Sequence, residues 1–116
     1  MRVKSIKMVM ANWCPHCVPT TLDAMKKASE QLNATLDLYD IDNPELEPEA
    51  DKLVKAYGDW SEDYLIPQVF FEYDTGTVEH VLTGSRLGVA DTRKRIEQLF
   101  KSEKYLALVN SAEKMD

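Results

Sequence analysis

Two cysteines, the only two in a chain of 116 residues, stand three positions apart in Trp13-Cys14-Pro15-His16-Cys17. Thiols this close cannot staple distant parts of a fold, and a secreted disulfide scaffold would carry more of them, spread along the chain. The motif falls where one periodicity gives way to another. Val3 to Ala11 is rich in β-branched and long apolar residues and reads as a strand. From Pro15 onward, Val18, Leu22, Met25, Ser29 and Leu32 recur at three- and four-residue steps, which predicts a helix that stops at Asn33. Any fold for this chain has to seat two thiols at a strand-to-helix junction.

The remainder continues the alternation. Thr35 to Ile41 predicts a second strand, ended by Asp42-Asn43-Pro44. Glu45 to Tyr57 predicts a second helix, with Ala50, Leu53, Val54 and Tyr57 on its buried stripe and Gly58 as its C-terminal stop. The carboxylates Glu45, Glu47, Glu49 and Asp51 suit a helix N-terminus facing solvent, where the dipole favours negative charge. Asp59 to Leu65 is a loop carrying Trp60 and Tyr64. Gln68–Tyr73 and Thr77–Leu82 are strands joined by the turn signal Asp74-Thr75-Gly76. Gly84 and Gly88 precede a final helix, Val89 to about Phe100, with Val89, Ile96, Leu99 and Phe100 inward. Residues 102–116 extend that helix or form a short further one through Tyr105, Leu106, Leu108 and Val109. The order is β-α-β-α-β-β-α, an α/β domain with a four-stranded mixed sheet flanked by helices. A single domain spanning 1–116 is expected, with a core at about 3–100 and a C-terminal extension at 101–116.

A formal net charge of −6 argues against a nucleic-acid binder, which would show a basic face. The start of the chain has basic residues and an apolar run, but Lys7 interrupts the run and the cysteine motif follows at once. It reads as mature sequence, because cleavage would remove part of the first strand. Nothing approaches roughly 18 consecutive apolar residues, so a cytoplasmic monomer without a membrane span is expected.

Each position of the motif has a chemical reason. Cys14 falls at the start of a helix, where unpaired N–H groups and the positive end of the dipole favour an anion. Thiols of C-x-x-C motifs at helix N-termini ionise at roughly 3.5–7.5, against about 8.5 for a free thiol. Pro15 suits the first helical position, where its missing N–H costs nothing. His16, when protonated, further favours a thiolate. Cys17 lies one turn on, within disulfide range and facing inward. Zinc is the rival use of such a pair, but one C-x-x-C supplies half of a four-ligand site. His80 is one distant candidate, and a second chain would be needed to complete the set.

These residues resemble the thioredoxin superfamily, above all its short members, the glutaredoxins and small thioredoxin-like proteins. The resemblance covers about residues 3–100 and rests on Ala11-Asn12-Trp13-Cys14-Pro15-His16-Cys17 and on Ile66-Pro67 before the strand Gln68-Val69-Phe70-Phe71. It implies thiol–disulfide exchange, with Cys14 as the attacking thiol and Cys17 as the resolving one. It implies that Pro15 and His16 tune the thiolate, that Pro67 is cis, and that Ile66 pairs through its backbone with substrate. Gly84 matches a family glycine near the active site, and Trp13 flanks Cys14 where substrate would bind. The implied partners are protein disulfides and an upstream thiol- or flavin-dependent reductase, with glutathione left open; no cofactor beyond the Cys14–Cys17 disulfide, and no metal, is implied. A redox-sensing or partner-binding domain that does not turn over is the alternative.

The departures are specific. The extra N-terminal strand and helix of longer thioredoxins are missing. Met8 stands where those proteins carry a buried Asp that serves proton transfer. The Pro-His dipeptide is that of the periplasmic disulfide oxidases, whose large helical insertion is missing too. The glutathione pattern of glutaredoxins is met only loosely by Lys7, Leu65-Ile66-Pro67 and Gly84-Ser85-Arg86. The loop at 59–64 leads into Pro67, so Trp60 either contacts substrate or caps the edge of the second helix.

Overall fold

The computed structural model describes residues 2–62 and 64–114; the calls on Met1, Asp63, Met115 and Asp116 lie outside them. Its elements are β1 (Val3–Met10), an irregular helical segment (His16–Thr21), α1 (Leu22–Leu32), β2 (Thr35–Asp40), α2 (Glu47–Tyr57), β3 (Gln68–Tyr73), β4 (Val78–Thr83), α3 (Val89–Lys101) and α4 (Glu103–Lys114). The strands form one sheet in the order β2-β1-β3-β4. β1 pairs parallel with β2 and antiparallel with β3, and β3 pairs antiparallel with β4. The mixed four-stranded sheet read from the sequence is the one observed.

The two central strands are covered on both faces, which is why β1 and β3 read as nearly continuous apolar runs. Ile6, Met8, Met10, Val69, Phe71 and Tyr73 face the larger core, with Met25 and Leu32 of α1, Ile96 of α3 and Tyr105 and Leu108 of α4. Val9 and Phe70 face the other way, onto Ala50 and Val54 of α2. The motif leaves β1 at its C-terminal end, between these layers.

Three expectations need correction, and one open alternative is decided. The helix from Pro15 is not continuous: Val18 is extended at φ −127°, ψ 124°, and the Val18–Pro19 peptide is cis. Proline has no N–H for the helical ladder and disfavours a helical residue before it, so regular α-helix begins only at Leu22. The buried stripe of α2 is narrower than expected, because Tyr57 overhangs the helix end and is exposed. Leu106 also points outward, while Ala112 joins Tyr105 and Leu108 inside. Residues beyond Ser102 form a separate helix, since Ser102 is extended (φ −65°, ψ 145°) and breaks α3 from α4. Tyr105 donates to Gln31 of α1 at 2.5 Å, and Lys104 pairs with Glu79 of β4, which ties α4 down at both sides. Burial alone would raise the Glu79 carboxyl, but the hydrogen bonds from Lys104 and Tyr73 hold it below its ordinary value. Among the described residues, no helix is long and apolar enough to cross a membrane.

Gly58 ends α2 as expected, but for a different reason than a left-handed cap. Its backbone is ordinary and extended at φ −107°. What requires glycine is space: a Cβ there would lie 2.4 Å from Gln68 Oε1 and 2.8 Å from Phe70 Cζ. Both neighbours are fully buried, and neither can swing away. Gly58→Ala is therefore expected to destabilise the fold by about 1–3 kcal/mol, the range for overpacking a close contact. Chemical denaturation measures it, and an unchanged midpoint would contradict the packing described.

Candidate active site

The first turn after β1 is built on Cys14. Its N–H donates to the Ala11 carbonyl at 3.2 Å, and its own carbonyl accepts the N–H groups of Cys17 and Val18, each at 3.0 Å. This turn folds Cys17 back beneath Cys14, and both are free thiols. They differ in access. Cys14 keeps 5% of its surface exposed and Cys17 none.

Cys17 shares the large core with Met8, Met10 and Met25. Burial in this apolar setting pushes its thiol well above the ordinary range; the neighbouring Cys14 adds to the rise, and a hydrogen bond with the Ala11 backbone only partly offsets it. Met8 is fully buried and apolar. Burial thus disfavours the ionised form of the inner thiol.

A second wall comes from 52 residues away in the chain. The Ile66–Pro67 peptide is cis, and the Ile66 carbonyl oxygen lies 4.0 Å from Cys14 Sγ. The structure therefore brings Ile66 and Pro67 to the reactive motif. Gly84 follows β4 and packs on the same peptide, with its N–H donating to the Pro67 carbonyl at 2.8 Å. A Cβ on Gly84 would lie 2.7 Å from Pro67 Cδ and 2.8 Å from the Ile66 carbonyl oxygen. These are rigid neighbours, so the close approach admits no side chain.

The dipeptide between the thiols splits in two directions. Pro15 is exposed, while His16 is half-buried and turns toward α3, its Nδ1 2.8 Å from Thr92 Oγ1. Thr92 is fully buried, and its hydroxyl accepts the Ser85 N–H at 2.9 Å. Neither Thr92 nor Ser85 was expected at the site. A small polar residue at an inward position of a helix, four residues before Ile96, was the available signal.

Two large apolar side chains stand out in water beside this constellation. Trp13, directly before Cys14, is 67% exposed, and Leu87, on the loop after Gly84, is 85% exposed. Trp60 belongs elsewhere. Its ring meets Tyr64 at 5.5 Å, Lys55 of α2 sits 4.5 Å over it, and Tyr64 donates to Asp51 of α2 at 2.8 Å. Of the two readings of Trp60, capping the edge of α2 is the one these contacts support.

Among the described residues, no group of three or more His, Cys, Asp or Glu side chains is arranged to hold a metal ion. His80, the distant ligand candidate, lies on β4 against the Phe70 ring, with its Nε2 2.5 Å from Thr83 Oγ1.

No protein-family model matches the sequence, and no curated protein matches it. A solved structure is similar: thioredoxin O1 from Arabidopsis thaliana in its oxidized state, with a TM-score of 0.52 and 20% sequence identity, over 85% of this chain and 79% of that one. The fold is thioredoxin-like.

Gly84→Ala tests the site's geometry. The added Cβ has to push Ile66 and Pro67 off Cys14, costing about 1–3 kcal/mol by overpacking. Alkylation of Cys14 by iodoacetamide, mapped by mass spectrometry, should speed up several-fold as the sulfur is uncovered. An unchanged rate with unchanged stability would show that Gly84 does not seat this wall.

Proposed function

We propose that this protein is a thiol–disulfide oxidoreductase, exchanging disulfides with protein substrates through Cys14 and Cys17. The observation that carries the reading is the unequal placement of two neighbouring thiols: both are buried, but Cys14 keeps a sliver of exposed surface, whereas Cys17 is fully sealed in an apolar core that disfavours its ionised form. A thioredoxin-like fold supports it. So do Trp13, next to Cys14 in the chain, and Leu87, on the loop after Gly84, whose exposed apolar surface suits a polypeptide better than a small polar disulfide.

In this reading the Cys14 thiolate attacks one sulfur of a substrate disulfide. A Cys14–substrate bond forms, the substrate S–S bond breaks, and the first substrate sulfur leaves as a thiolate. Cys17 then attacks the Cys14 sulfur. The Cys14–Cys17 bond forms, the mixed disulfide breaks, and the second substrate sulfur departs, taking up the Cys17 proton. The substrate gains two electrons and the protein loses two. Burial of Cys17 keeps it from competing for the first attack, since only a thiolate is a good nucleophile. The Ile66 carbonyl beside Cys14 and the open backbone of its turn offer main-chain hydrogen bonds to an extended substrate segment. An external dithiol or a flavin-dependent reductase, in the cytoplasm, returns the pair to thiols. The same steps in reverse oxidise dithiols, and the potential of the pair against its compartment sets the direction.

Two substitutions separate the roles. Cys14→Ser should abolish both reduction of insulin disulfides and covalent trapping of partners. Cys17→Ser should abolish turnover by at least a hundredfold, a loss of about 2.7 kcal/mol or more in transition-state stabilisation, yet accumulate mixed disulfides on Cys14. Trapping by the Cys14 variant instead would reverse the assignment. A native protein that forms mixed disulfides without turning over would be a redox-sensing or partner-binding domain.

A further inference from the structure

We propose that Thr92 is a positioning residue of the reactive motif, its hydroxyl holding the His16 imidazole against α3 whichever way the ring carries its protons. The proposal rests on the reading of Cys14 and Cys17 as an exchanging pair. Thr92 Oγ1 meets three groups: His16 Nδ1 at 2.8 Å, the Ser85 N–H at 2.9 Å and the Gly88 carbonyl at 3.3 Å. A hydroxyl has one proton to donate and two lone pairs to accept with. The Ser85 N–H takes one lone pair. One proton and one lone pair remain for an imidazole nitrogen and a carbonyl.

Two arrangements satisfy every group. With His16 neutral and protonated on Nε2, the Thr92 hydroxyl donates to Nδ1. The Gly88 carbonyl is not orphaned, because it also accepts the Thr92 N–H at 3.1 Å. With Nδ1 protonated, that nitrogen donates to Oγ1, and the hydroxyl proton turns to Gly88. The ring keeps its place in both states. Serine preserves this geometry, whereas valine and alanine lose it.

The position matters because the same hydroxyl joins both walls of the site. His16 lies between the two thiols in sequence. Ser85 follows Gly84, which packs on Ile66 and Pro67. Ser85 is itself buried, and its Oγ accepts the Leu87 N–H at 3.0 Å, so the hydroxyl also anchors the loop that displays Leu87.

The test needs no protein substrate. In a glutathione redox buffer, the dithiol passes two electrons and two protons to glutathione disulfide, giving the Cys14–Cys17 disulfide and two glutathione thiols. Thr92→Val should move this equilibrium constant roughly fivefold toward the disulfide, the worth of one net hydrogen bond, while Thr92→Ser stays close to native. His16→Ala should move it the same way, and adding Thr92→Val to His16→Ala should add little, because the two act through one contact. Ring-nitrogen NMR of His16 reads the contact directly: Thr92→Val should alter its tautomer signals and Thr92→Ser should keep them. If Thr92→Val fails to fold, Thr92→Ala is read in the same way. A Thr92→Val shift that is undiminished without His16, or native-like His16 signals in Thr92→Val, would overturn the proposal. If the native pair forms no disulfide in this buffer, the exchange reading fails, and the NMR comparison alone still decides the role of Thr92.

Discussion

The site depends on a contact in which backbone meets backbone. Gly84, at the end of an edge strand, lies so close to the Ile66–Pro67 peptide that no side-chain atom fits between them. The 2.8 Å hydrogen bond from its N–H to the Pro67 carbonyl fixes the approach. Through it, β4 presses the Ile66 carbonyl to within 4.0 Å of the Cys14 sulfur. Three separate parts of the chain thus converge on one atom. A larger residue at 84 would act on the sulfur without touching it.

Two buried polar side chains stabilise the loops that make this contact. Gln68, directly after Pro67, accepts the Asp59 N–H at 3.0 Å and donates to the carbonyls of Asp59 and Leu65 at 3.2 and 3.0 Å. It clamps both ends of the loop leading to Ile66, and its buried amide is satisfied on both atoms, as burial of a polar group demands. Thr92 does the equivalent for the loop after Gly84. The site sets contrasting environments together: an apolar core seals Cys17, while the buried polar side chains of Gln68 and Thr92, distant in sequence, hold the loops of the other wall. In the proposed exchange, the same core that stabilises the fold sets the order in which the thiols act.

The sheet, its strand order of events along the chain and the cysteine motif were legible because they rest on local patterns. Alternating and continuous apolar runs marked β1 and β3, and Asp74-Thr75-Gly76 marked the hairpin. Pro67 and Gly84 were legible only through likeness to a known pattern, since neither residue carries chemistry alone. The break at Val18–Pro19 was missed because the apolar spacing from Val18 to Leu32 is helical on its face, and the proline was outweighed by it. Thr92 was missed because its partners, His16 and Ser85, are 76 and 7 residues away and meet it only through the tertiary fold. Gln68 read as a polar strand residue for the same reason: nothing local says that a loop folds over it. Long-range polar contacts between single residues leave no periodic trace.

Single-turnover stoichiometry tests the central account most directly. The fully reduced protein is mixed with less than one equivalent of a peptide disulfide, quenched with acid, alkylated and resolved by mass. The account requires two peptide thiols released for every Cys14–Cys17 disulfide formed, with a transient peptide adduct found on Cys14. An adduct that persists without forming the internal disulfide, or one that appears first on Cys17, would contradict it.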